Sequence, residues 1–175
     1  MPLTMDRAAC ALLVVDFQAR LMPAIHDGAA AVANARRLLD GATLLDVPVL
    51  FTEQNARGLG STVEALGGMP VLHKMTFDAC RDGGLAQLPD RPALVVAGCE
   101  AHVCVLQTVL GLLDAGRSVF AVQDAIGSRT ADNKAAALAR MARHGAEIVT
   151  TEMVLFEWIA TADDPRFRDL VRLVK

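Results

Sequence analysis

The feature that most limits what this chain can fold into is the run Leu94-Val95-Val96-Ala97-Gly98, followed without a break by a helical period that stops at Gly116. A short β-branched apolar run closed by glycine reads as a strand covered on both faces, because a strand with one wet face alternates polar and apolar residues. The stretch after it is long and periodic enough for a helix. Cys104 then falls in the first turn of a helix at the carboxyl end of a buried strand, where open parallel α/β sheets bind ligands. A helix N-terminus carries about half a positive charge, which favours thiolate over thiol. Cys104 therefore reads as a nucleophile, or alternatively as a small buried apolar side chain.

The same alternation runs along the whole chain. Residues 8–15 form another nearly continuous apolar run, a central parallel strand that ends at Asp16. Residues 29–45 make an amphipathic helix with Arg36 and Arg37 on one side, and residues 47–52 a second strand. Residues 53–60 read as a polar loop, and Ser61-Thr62-Val63-Glu64 has the spacing of a capping box opening a short helix. Met69-Pro70-Val71-Leu72 is a third strand that delivers His73-Lys74 at its end. A loop over residues 81–91 leads to the Leu94 strand. A fifth strand covers residues 118–122, and Asp132-Asn133 caps a helix over residues 134–144. Residues 148–150 are a sixth strand. A helix or turn with Phe156 and Trp158 follows, and Asp164-Pro165 opens a terminal helix. This pattern predicts one domain over residues 1–175: a three-layer α/β/α fold with a doubly wound, parallel, six-stranded Rossmann-like sheet in the order 3-2-1-4-5-6.

With 53% hydrophobic and 21% charged residues, the 175-residue chain is not disordered and can bury one sizeable core. A net charge of −3, one tryptophan and no tyrosine argue against nucleic acid or an anionic membrane as the main partner. No apolar run reaches the roughly 18 residues that span a bilayer. The first residues lack the basic-then-apolar order of a secretory signal. Cys10, Cys80, Cys99 and Cys104 show no C-x-x-C pair, so a reducing cytoplasm fits. No G-x-G-x-x-G follows the first strand, which argues against a nucleotide role.

Asp16, Lys74 and Cys104 occupy equivalent places at strand ends that converge on the crevice where the strand order reverses. Each has a bland reading: a turn-forming acid, a solvated lysine, a packed cysteine. Together their chemistry closes. A thiol with an ordinary pKa of about 8.5 is mostly protonated at neutral pH. Asp16 can accept its proton, while Lys74 and the helix N-terminus stabilise the anion. Backbone N–H groups around residues 100–104 can hold a developing oxyanion.

The pieces Leu13-Val14-Val15-Asp16-Phe17-Gln18, His73-Lys74-Met75-Thr76-Phe77-Asp78 and Gly98-Cys99-Glu100-Ala101-His102-Val103-Cys104 carry a resemblance, as do Val122-Gln123-Asp124-Ala125-Ile126-Gly127-Ser128-Arg129 and Thr150-Thr151-Glu152-Met153-Val154-Leu155-Phe156. The chain resembles the isochorismatase-like cysteine hydrolases, which include nicotinamidases and N-carbamoylsarcosine amidohydrolases. It is most similar to short isochorismatase-domain hydrolases of unassigned substrate. The resemblance implies an Asp16–Lys74–Cys104 triad and a thioester-like covalent intermediate. It also implies a cis peptide at Cys99–Glu100, beside an oxyanion hole formed by Glu100 and Cys104, and assembly into a homo-oligomer. Metal-binding relatives carry an Asp-x-His pair after the second strand. Here that position reads Thr52-Glu53-Gln54-Asn55, so no metal or other cofactor is expected, and the nicotinamidase assignment loses its anchor. Asp78 stands where relatives carry a small or hydroxylated residue.

Phe17, Leu21 and Phe77 read as walls of a substrate pocket or as core. Gln18 and Gln54 read as donors to a substrate carbonyl or as turn residues, and His102 as a residue at the pocket mouth. Asp124 braces the loop beneath the site or forms a turn. Cys99 is expected to be buried and inert, and Phe156 and Trp158 suit a subunit interface. The leading function is metal-independent hydrolysis of a small carbonyl compound at an amide or ureido C–N bond. The alternatives are vinyl-ether hydrolysis with Asp16 as acid and base, or a catalytically silent oligomeric scaffold.

Overall fold

In the computed structural model, which describes residues 3–175, six strands build one parallel sheet in the order β3-β2-β1-β4-β5-β6. They are β1 (Cys10–Val15), β2 (Val49–Gln54), β3 (Val71–Lys74), β4 (Ala93–Cys99), β5 (Ser118–Gly127) and β6 (Glu147–Val149). The helices are α1 (Gly28–Leu44), α2 (Ala56–Leu59), α3 (Leu106–Asp114), α4 (Ala131–Arg143), α5 (Thr151–Ile159) and α6 (Phe167–Val174). The expected three-layer, doubly wound architecture is present.

The continuous apolar runs are explained by two cores. On one face of the sheet, Leu12, Val14, Val95 and Ala97 pack under α1, α5 and α6 through Leu38, Leu155 and Leu170. On the other, Leu13, Val15, Leu94 and Val96 pack under α3 and α4 through Val109, Leu112 and Met141. Side chains alternate along a strand, so a strand covered twice has no polar position. Every residue of β1 and β4 is accordingly buried. Burial of each large side chain contributes about 1.5–3 kcal/mol.

Several boundaries differ from expectation. β2 starts at Val49 and continues through Glu53 and Gln54, because these two pair with His73 and Lys74 of β3. β5 extends to Gly127, with a register shift against β4 between Val96 and Gly98. The capping box at Ser61 does not form: the Thr62 N–H and hydroxyl both donate to the buried Glu53 carboxylate, at 2.7 and 2.9 Å. The cap of α4 is Thr130, whose hydroxyl accepts from Asn133 N–H. Trp158 is fully buried in the first core and is not an interface residue, whereas Phe156 is partly exposed. Among the described residues, no helix is long and apolar enough to cross a membrane.

Gly98 positions the site. Its φ is +147°, and a Cβ there would overlap the Val15 carbonyl oxygen. The end of β4 therefore lies against the end of β1, where the chain turns off through Asp16.

Candidate active site

Asp16 sits one residue past β1 with φ of +50°, in the left-handed region that aspartate tolerates better than most residues. Its N–H donates to Thr52 O at 3.1 Å, and its side chain is fully buried. Oδ1 accepts a hydrogen bond from the Thr52 hydroxyl at 2.6 Å. Oδ2 accepts one from Lys74 Nζ at 2.7 Å. The Lys74 ammonium also donates to Thr76 O at 3.3 Å and Phe77 O at 3.1 Å, so its three protons have three acceptors. A buried ion pair persists when its remaining hydrogen bonds are made, and here they are.

Cys104 lies in a single wide π-type turn, Ala101–Val105, that joins β4 to α3. It is only 6% exposed. The thiol is pushed well above its ordinary value, first by burial and next by the negative charge of nearby Asp16. Lys74 pulls in the other direction, and Glu100 adds a smaller upward push. This corrects the expectation of a thiolate favoured by the helix N-terminus. A helix end contributes about 0.3–1 kcal/mol, too little to offset loss of water around a buried anion, and regular helix begins only at Leu106. The resting sulfur carries its proton.

The Cys99–Glu100 peptide bond is cis. The Glu100 carbonyl accepts from Val103 and Val105 N–H, closing the wide turn. Its carboxylate accepts from Arg129 Nε at 2.7 Å. Cys99 is fully buried against Gly127, and burial pushes its thiol up to about 12. His102 is half-buried, with Nδ1 3.0 Å from the Ser128 hydroxyl.

The structure brings Asp16, Lys74 and Cys104 together from three strand ends, but it moves other candidates elsewhere. Phe17, which follows the left-handed turn at Asp16, is fully buried in the core on the α1 side of the sheet. Gln18 is fully buried too. Its amide donates to Gln54 O (3.0 Å) and Gly60 O (2.7 Å), and accepts from Gln54 N–H (2.9 Å). With these bonds made it clamps the segment after β2. Gln54 donates to Met75 O at 2.9 Å, tying β2 to the loop after β3. Leu21 is half-buried against the core.

Phe77 is 47% exposed and lines an open groove of about 860 Å³ with Gln107, Leu110 and Leu113 along α3. Asp16, Lys74 and Cys104 are not among the residues lining that groove. Asp78 is buried as a brace: Oδ1 accepts from Cys80 N–H at 2.8 Å. A Cβ at Gly111 would lie 2.7 Å from both its carboxylate oxygens, so the loop packs directly on α3. Asp124 accepts from the N–H and hydroxyl of Thr151 and fastens the start of α5.

Thr52 and Arg129 are the partners that sequence reasoning did not single out. The signal for Thr52 was its hydroxyl, closing an otherwise apolar run; its target lies on another strand. Among the described residues, no three His, Cys, Asp or Glu side chains gather as a metal site.

Residues 10–153 match the isochorismatase domain. Isochorismatase domain-containing protein 1 of Danio rerio is 37% identical over 166 residues, covering 91% of this chain and 59% of that protein. The chain thus spans about 59% of the length of that curated relative. Two solved structures share the architecture. MAR1 ribonuclease of Caenorhabditis elegans matches with a TM-score of 0.92 at 32% identity, covering 98% of this chain and 92% of that one. YcaC from Pseudomonas aeruginosa, determined with hexane-2,5-diol and covalent acrylamide, matches with a TM-score of 0.91 at 25% identity, covering 99% and 92%. By the extent of the domain match, the sheet order and these relatives, the chain belongs to the isochorismatase-domain family and has its hydrolase fold.

Proposed function

We propose that this chain is a single-domain, metal-independent cysteine hydrolase that cleaves an amide or ureido C–N bond of a small carbonyl compound. The observation that carries the reading is one buried carboxylate, Asp16, paired with the Lys74 ammonium at 2.7 Å and near enough to the Cys104 thiol for its charge to act on the sulfur. As the sulfur attacks the carbonyl carbon, its proton passes to Asp16 and a C–S bond forms. The Glu100 and Cys104 N–H groups stabilise the oxyanion. Asp16 returns the proton to the leaving nitrogen as the C–N bond breaks, leaving a thioester-like acyl group on Cys104. Asp16 then takes a proton from water, hydroxide adds to the acyl carbon, and the C–S bond breaks. The acid leaves and the thiol regains its proton. The Lys74 ammonium, 2.7 Å from Asp16, offsets the negative charge that moves between oxygen and sulfur.

The protonated resting sulfur agrees with this order of events, because attack then requires a base close by. Acrylamide is an electrophile that adds to thiolates, so its covalent attachment to YcaC of P. aeruginosa supports a reactive thiol in this fold. Exposed Met75, Phe77, Met153 and Phe156 offer apolar surface for the homo-oligomer proposed with this activity.

The test is a panel of primary amides and ureides incubated with the protein, with peptide mass spectrometry for an acyl adduct. An adduct on Cys104, together with loss of turnover in Cys104→Ala, is the expected result. Turnover surviving in Cys104→Ala overturns acyl transfer and favours vinyl-ether hydrolysis by Asp16. Absence of turnover and adduct across the panel favours a silent scaffold.

A further inference from the structure

Thr52 closes the apolar part of β2 and is fully buried, directly across the register from Val15. It holds the next residue twice: its carbonyl accepts the Asp16 N–H at 3.1 Å, and its hydroxyl donates to Asp16 Oδ1 at 2.6 Å. The second bond is short and charge-assisted, the stronger kind. Valine has the same shape and at least as high a strand propensity, so packing alone does not call for a hydroxyl here. The opposite carboxylate oxygen is taken by Lys74 at 2.7 Å.

We infer that Thr52 is a positioning residue for the reaction: its paired hydrogen bonds fix the plane of the carboxylate that holds Lys74 and acts on Cys104. The inference rests on the reading of Cys104 as nucleophile and Asp16 as its proton acceptor. The titratable groups around Asp16 are Lys74 from β3, Cys104 from the turn before α3, and Cys99 from the end of β4. Glu100 acts on the same sulfur and is itself paired with Arg129. None of these changes when the Thr52 hydroxyl is removed. Without that hydroxyl, Oδ1 loses its Thr52 donor and the carboxylate is freer to turn out of the plane in which it meets Lys74 and the sulfur.

The experiment measures the rate of Cys104 alkylation by iodoacetamide against pH on the intact protein, read by peptide mass spectrometry so that the other cysteines do not interfere. Wild type, Thr52→Val and Thr52→Ser are compared, with thermal melts alongside. Thr52→Val is expected to slow alkylation by about tenfold across the profile, while Thr52→Ser keeps the wild-type rate. Should Thr52→Val fail to fold, Thr52→Ala removes the same hydroxyl and is expected to slow alkylation likewise. A rate that stays at the wild-type value in Thr52→Val while the melting temperature falls overturns the inference and leaves Thr52 a structural residue. Wild-type Cys104 that resists alkylation at every pH, though labelled once unfolded, overturns the nucleophile reading and the inference with it.

Discussion

Replacing Asp16 by asparagine separates two effects that the carboxylate exerts at once. As a base it is the group that receives the Cys104 proton. As a buried negative charge it keeps that proton on the sulfur. The Cys104 thiol lies above its ordinary value chiefly through burial, then through the Asp16 charge, with Lys74 opposing. Asp16→Asn leaves the burial unchanged, removes the like charge, and leaves the Lys74 ammonium near the sulfur without its 2.7 Å partner. A neighbouring charge at contact range is worth about one to three pH units, so the variant thiol is expected to titrate lower by that amount. Turnover should move the opposite way, falling about 100- to 10,000-fold, the usual contribution of a positioned acid–base group. Ultraviolet thiolate absorbance against pH, with the same titration of a Cys104→Ala protein subtracted, gives the first quantity. A substrate found in the amide and ureide panel gives the second. More thiolate with less turnover would mean that proton acceptance, not thiolate population, limits the reaction. A variant whose Cys104 titrates at or above the wild-type pH would refute the electrostatic reasoning.

Lys74→Met removes the ammonium from a pair whose carboxylate is fully buried, leaving Asp16 with Thr52 alone. Urea unfolding at neutral pH should show a loss of about 3–5 kcal/mol, as for other broken buried pairs. A loss below about 1 kcal/mol would show that water compensates the carboxylate. Burial also makes Cys99 a source of alkaline instability. Its thiol is raised from 9.0 to about 12, so its proton-linked stability is fully present below pH 9 and is lost between pH 9 and about 12. Unfolding free energies of wild type and Cys99→Ala should therefore converge as pH rises through that window, by up to about 4 kcal/mol. A constant difference across it would assign the instability to other groups.

Much of the architecture was legible because two cores demand uninterrupted apolar strands. Ala11 to Val15 and Leu94 to Ala97 can satisfy that demand only as central strands. Strand ends were harder to read wherever pairing, rather than burial, sets the limit. Glu53 and Gln54 look like loop residues, yet they continue β2 because β3 supplies their backbone partners. Asp16, Lys74 and Cys104 were legible as candidates because the strand order dictates that their termini converge. Side-chain direction was not. Nothing in the order Asp16-Phe17-Gln18 announces that a left-handed turn puts Phe17 in the core, or that Gln18 spends its amide on backbone groups. The electrostatic state of Cys104 was equally hidden, because desolvation depends on everything packed around the turn and not on the helix it precedes.

The contact made by Gly98 sets a limit on how such a chain can diversify. With only hydrogen where a side chain would meet Val15, backbone abuts backbone between the strand that carries the acid and the strand that leads to the thiol. No intervening side chain can be lengthened or shortened there to widen the gap. Changes of substrate must therefore arise in the surrounding loops, while the spacing between β1 and β4 is inherited as a fixed quantity.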